Sequence, residues 1–141
     1  MPRTPPRAPR HAPDVRIGCD VHPVSQTAAS IALFGERYLR RVFTPDELAQ
    51  CGGDVERLTG RFAAKEAVLK VLQPESTDAV PFSSIEVRNG RSGAPFVSLS
   101  GHASELAARQ GIERIDISVS HDAGVGIAVA AAVRTYAEEA S

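Results

Sequence analysis

Two carboxylates and three cations carry the pattern that could do chemistry. Asp20 closes the short apolar run "DVRIGCDV", and Glu66 lies in "GRFAAKEAVLK", Gly60 to Lys70, among Arg61, Lys65 and Lys70. Glu66 and Lys70 stand four residues apart and so share one face of a helix. Asp20 and Glu66 are separated by 66 minus 20, or 46, positions, so only the tertiary fold can bring them together. Brought together with the cations, they make a site for a hard divalent ion carrying a phosphate ester. Magnesium takes one or two protein carboxylates and fills its shell with water and phosphate oxygens. The cations then hold the remaining phosphate charge. On spacing alone a Lys-Glu-Lys face is more commonly a solvated helix surface, so this pattern needs further support.

The elements around these residues follow from local patterning. "DVRIGCDV" is short, apolar and β-branched and reads as a buried strand, with Cys19 inside it as a small apolar residue. "TAASIALFGERYLRRVF" is helical in character and broken at Gly35. In "TPDELAQC", Thr44 is an N-cap, Pro45 opens the first turn and Glu47 completes a capping box. Asp54 caps the next helix, which runs to about Leu72 and stops before Pro74. "SSIEVRN", "GRSGAP" and "FVSLS" read as strand, turn and strand. "HASELAARQG" is a helix, and "IDISVSHDAGVGIAVAAAV" is a hairpin turning near Asp122 to Gly124. The order β, helices, ββ, α, ββ predicts an α+β domain with an antiparallel sheet packed on one long helix.

Composition limits the partners. The 16 Lys and Arg are balanced by 17 Asp and Glu, so the net charge of -1 offers no basic excess for nucleic acid, and any anion site must be local. At 141 residues the chain fits one domain, expected over residues 14–136 between a Pro/Arg-rich tail, 1–13, and a short C-terminal tail, 137–141. Cys19 and Cys51 have neither zinc nor disulfide-framework spacing, which fits a reducing cytoplasm. No run has the roughly 20 apolar residues of a membrane span, and the N-terminus has no apolar signal-peptide core. His11, His22 and His102 read as structural or exposed.

"IGCDV", "RFAAKEAVLK" and "VSHDAG" followed by an alanine-rich apolar strand resemble, in order and spacing, the three signatures of the 4'-phosphopantetheinyl transferases, in particular the small holo-acyl-carrier-protein synthase type. The likeness runs from Ile17 to about Val133, and "RFAAKEAxxK" is its specific part. It implies the fold of that family in a single half-size domain. It implies transfer of the phosphopantetheine arm of coenzyme A to a serine of an apo acyl carrier protein of fatty acid or polyketide synthesis, releasing 3',5'-ADP. The resemblance makes Asp20 and Glu66 the ligands of Mg2+, and Lys70 the contact to the reacting phosphate. Arg61, Lys65 and His121 then match basic positions around coenzyme A, and Gly93, Ala94 and Pro95 match a loop lying against the nucleotide. A non-catalytic coenzyme A-binding module on the same fold is the alternative, against which the joint retention of Asp20, Glu66 and Lys70 argues.

Two departures from the family pattern matter. The nucleotide loop has Ala94 where lysine is usual, and no base follows Asp20 until Arg37, so the grip on an acidic carrier falls to Arg37, Arg40 and Arg41 if it is kept. The resemblance also implies a homotrimer. Larger members carry the histidine motif in one half and the acid and "KEA" motifs in the other, so a half-size chain completes its sites between subunits.

Overall fold

The computed structural model describes residues 14–135; the tails expected at 1–13 and 137–141, and Tyr136, lie outside the described residues. Within it, β1 (Asp14–Pro23) leads into α1 (Val24–Phe34), α2 (Glu36–Val42), α3 (Pro45–Cys51) and the long α4 (Val55–Leu72). A 3-10 turn, Phe82–Ser84, precedes the hairpin β2 (Ile85–Asn89) and β3 (Pro95–Leu99), and α5 (Gly101–Arg109) precedes the hairpin β4 (Ile112–Asp122) and β5 (Val125–Arg134).

The local signals act where they stand. Gly35, at φ 55°, separates α1 from α2. The Thr44–Glu47 capping box forms in full, and Asp54 accepts the amides of Glu56 and Arg57 at the start of α4. The expected antiparallel sheet is two sheets, one of order β1-β5-β4 and one of β2 and β3 alone. In the first, Asp20 stands opposite Ala128, and His121 and His22 flank Gly126 on either side of β5.

The long helix α4 lies across the larger sheet. Its Ala63, Ala64, Ala67, Val68 and Val71 are fully buried against Ala128, Ala130 and Ala132 of β5, with Ile85, Val87, Leu106 and Ile112 completing the core. Small side chains on both surfaces let backbones approach closely, most of all at Gly18, where a Cβ would lie 2.0 Å from the Ala67 carbonyl oxygen. The pleat then sends the larger residues outward: Val15, Ile17 and Val21 of β1 and Ile127, Val129 and Val133 of β5 are exposed, and so is Cys19. β1 was expected to be a buried strand; among the described residues a single helical layer covers the sheet, so only alternate residues are buried.

Candidate active site

Strand β1 and helix α4 bring the sequence-distant acids together. Gly18, Asp20 and His22 occupy the pleat face toward α4: Gly18 meets Ala67 and Lys70, and the His22 ring lies 4.3 Å from Phe62. Lys70 Nζ donates to the Cys19 carbonyl at 2.6 Å and lies 3.4 Å from Asp20 Oδ1, with the side chain half exposed. Two of the ammonium's three donors are thereby used, leaving one toward solvent. Glu66 is half-buried on the same side of α4. Its burial, and then the nearby Asp20 charge, push its carboxyl pKa up, while Lys70 pulls it down.

Two carboxylates that repel each other in a partly desolvated corner, beside one lysine, fit a hard cation, which relieves the repulsion and accepts hard oxygen donors. No group of three or more His, Cys, Asp or Glu side chains is gathered for a metal among the described residues. A magnesium site needs no such group, since water and phosphate supply its other oxygens.

The other basic residues of the motif sit elsewhere. Lys65 is completely buried: Nζ bonds Glu47 Oε1 at 2.7 Å and the carbonyls of Phe82 and Ile85 at 3.0 and 2.5 Å. Burial draws its pKa down, opposed by Glu47. Three acceptors occupy all three of its donors, so in this arrangement Lys65 has no proton to offer a nucleotide. Arg61 is also buried, its Nε on the Val87 carbonyl and its Nη2 on Gln50 Oε1, both at 3.1 Å. Both side chains face β2, away from Asp20.

His121 is exposed at the end of β4, its Nδ1 3.6 Å from the Glu56 carboxylate. Glu56 precedes Glu66 by ten residues on α4, about 15 Å along the helix axis. Gly93 and Ala94 lie in the turn of the β2–β3 hairpin, with Gly93 at φ 82°, and Pro95 opens β3. Among the described residues no hydrogen bond or ion pair joins that turn or His121 to Asp20, Glu66 or Lys70. One chain thus assembles Asp20, Glu66 and Lys70 and leaves His121 and the turn apart. Glu47 and Gln50 were not expected as partners of Arg61 and Lys65; the available signal was that Lys65 falls on the helical stripe of Val68 and Leu72, a core stripe.

The model of the 4'-phosphopantetheinyl transferase superfamily matches residues 16–130, from β1 through most of β5. The chain belongs to that superfamily. It is similar to the holo-[acyl-carrier-protein] synthase of Halothermothrix orenii, 38% identical over 115 residues that span 79% of this chain and 91% of that protein. Among solved structures it is similar to Helicobacter pylori holo-[acyl-carrier-protein] synthase in complex with coenzyme A, with a TM-score of 0.73 and 30% identity over 86% of this chain and all of that one. The ACPS–CoA complex of Chronobacterium ammoniagenes has a TM-score of 0.76 and 29% identity, covering 88% of this chain and 99% of that one. These likenesses agree with the half-size α+β domain of the superfamily.

Proposed function

We infer that this chain moves the 4'-phosphopantetheine arm of coenzyme A onto a serine hydroxyl of an apo acyl carrier protein, releasing 3',5'-ADP. The observation that carries the reading is the meeting of Asp20, Glu66 and Lys70 at the β1–α4 contact of a chain whose superfamily match spans both elements.

The transfer requires a serine oxygen to lose a proton and attack phosphorus while a phosphate leaves in line. Asp20 and Glu66 would hold Mg2+, which would supply charge neutralisation for the phosphates of coenzyme A. Glu66, its carboxyl pKa already raised, is the group best placed to take the serine proton, directly or through a water. Lys70 is held by the Cys19 carbonyl with one donor free, and its charge stabilises the phosphate that departs. Incubating the protein with an apo carrier, coenzyme A and magnesium, then weighing the carrier, tests the reaction. A carrier that never gains the mass of one phosphopantetheine would refute it.

The assembled protein is a homotrimer with sites between subunits, in which His121 and the Gly93–Pro95 segment of one chain face Asp20, Glu66 and Lys70 of the next. Two observations support this. His121 contacts Glu56, which precedes Glu66 on α4 by ten residues, about 15 Å of helix axis. The sheet also turns its larger apolar side chains outward, from Val15 at 64% exposure to Val133 at 50%, a surface suited to burial against another copy.

The carrier docks at the α1–α2 corner. Leu33 and Phe34 are exposed there, 76% and 59%, next to the exposed Arg37, Arg40 and Arg41. Among the described residues Arg40 pairs with Glu36, 3.0 Å away on the open surface, a contact of small energy that an acidic partner displaces. We place the reaction in the cytoplasm because Cys19 and Cys51 have no disulfide-framework spacing and both are free thiols. Separately, no helix of the described residues is long and apolar enough to cross a membrane.

A further inference from the structure

Strand β2 is an edge strand whose free side is closed by side chains. It pairs with β3 along one edge only. Along the other, the Ile85 carbonyl accepts from Lys65 Nζ, the Val87 amide donates to Glu47 Oε2 at 3.1 Å, the Val87 carbonyl accepts from Arg61 Nε at 3.1 Å, and the Asn89 amide donates to Gln50 Oε1 at 3.0 Å. These four side chains also bond in pairs, Lys65 to Glu47 at 2.7 Å and Arg61 to Gln50 at 3.1 Å. Each pair takes its donor from α4 and its acceptor from α3. Together they stand where the next strand of the sheet would be.

This arrangement fixes the roll of α4 about its own axis. Lys65 and Glu66 are adjacent, about 100° apart around the helix, so whatever holds Lys65 sets the direction of Glu66. A roll of about 20° carries a side chain at the helix surface roughly 2 Å. On the opposite side α4 has no slack, because the Ala67 carbonyl already abuts Gly18 of β1. We propose that Glu47, Gln50, Arg61 and Lys65 are positioning residues that lock α4 between β2 and β1 and thereby aim Glu66 and Lys70 at Asp20. The proposal rests on the reading of those three residues as the transferring site.

The test compares Gln50→Ala, Glu47→Gln and the double variant Glu47→Gln/Lys65→Met with Leu106→Ala, a core truncation in α5, at a temperature where circular dichroism shows every protein folded. Gln50 is exposed, so its loss should leave thermal stability nearly unchanged and speed hydrogen exchange at the Asn89 amide. Its kcat should fall at least about tenfold, with the KM for coenzyme A within about twofold, the split expected of displaced reacting groups. Leu106→Ala should lose stability and keep its kcat. The double variant removes both buried charges and should regain the stability that Glu47→Gln loses, yet remain slow. A double variant restored in both stability and kcat, or a Gln50→Ala enzyme with fast Asn89 exchange and full kcat, would overturn the positioning role while leaving the site intact. A wild-type chain that never loads the carrier would instead overturn the site reading and the positioning role with it.

Discussion

Replacing Gly18 with alanine probes the β1–α4 contact with a single methyl group. The added Cβ would stand 2.0 Å from the Ala67 carbonyl oxygen and 3.0 Å from Lys70 Cβ, against 3.4 Å for ordinary contact. The first obstacle is backbone and cannot rotate away, so α4 must retreat from β1 by about 1.4 Å at that point. Two consequences follow. Overpacking of this kind costs ~1–3 kcal/mol. For a chain of this length that lowers Tm by roughly 4–12 °C. Separately, the retreat pulls Glu66 and Lys70 from Asp20, and a misplacement of about 1 Å at reacting groups costs ~100-fold in rate. The assay is carrier loading followed by mass spectrometry at a temperature well below the variant's Tm, with circular dichroism confirming that it is folded. A Gly18→Ala protein with wild-type Tm and kcat would refute the close approach and the dependence of catalysis on it.

The remaining predictions address single groups. Glu66→Gln should abolish turnover at any magnesium concentration, yet stabilise the metal-free protein at neutral pH. A carboxyl with a raised folded pKa binds its proton more tightly when folded, so it favours folding fully below the ordinary 4.5 and loses that contribution as pH rises through the folded value. The Tm gain of the variant should therefore be present at pH 7.5 and absent near pH 4; a gain independent of pH would contradict the assignment. Lys70→Met should lower kcat far more than affinity for coenzyme A, and equal losses in both would move Lys70 out of the reacting region. Lys65→Met strands the buried Glu47 charge and should cost ~3–5 kcal/mol in denaturant unfolding. If stability is instead unchanged and only the KM for coenzyme A rises, Lys65 serves the nucleotide after all. Co-assembling Glu66→Gln chains with His121→Ala chains should regain activity at interfaces that pair intact Glu66 with intact His121. Subunit exchange without any gain over the two parents would show that each chain works alone.

Local rules made most of the fold legible. The capping box at Thr44, the Asp54 cap and the left-handed glycines act within a few residues of themselves, so their sequence neighbourhood contains the whole interaction. The same patterning could not divide one sheet into two, because strand pairing depends on partners far along the chain. It also misjudged Cys19. Apolar composition marks a strand as buried without saying by what, and here the second face of β1 has no cover among the described residues. On β5 alternation sends Ala128, Ala130 and Ala132 inward and Ile127, Val129 and Val133 outward. That is the reverse of a strand whose only apolar contact is its own core, and it supports the proposed assembly.

The division of labour within "GRFAAKEAVLK" was harder to see, and the reason is geometric. Helical spacing sets the angle between Arg61, Lys65, Glu66 and Lys70 and leaves open what each meets. The decision comes from residues outside the motif: Glu47 turns Lys65 inward, Gln50 and the Val87 carbonyl hold Arg61, and Gly18 admits α4 closely enough for Lys70 to reach the Cys19 carbonyl. Glu47 looked complete as a cap, yet its two oxygens serve the Thr44 amide, the Lys65 ammonium and the Val87 amide together. The stretch thus divides between the proposed site and the scaffold that holds it. If the proposed site is right, the charged residues of the stretch serve both faces of α4 for different reasons, so a mutation that removes Lys65 and one that removes Lys70 should both silence the protein, the first by unfolding its frame and the second by removing the site's positive side chain.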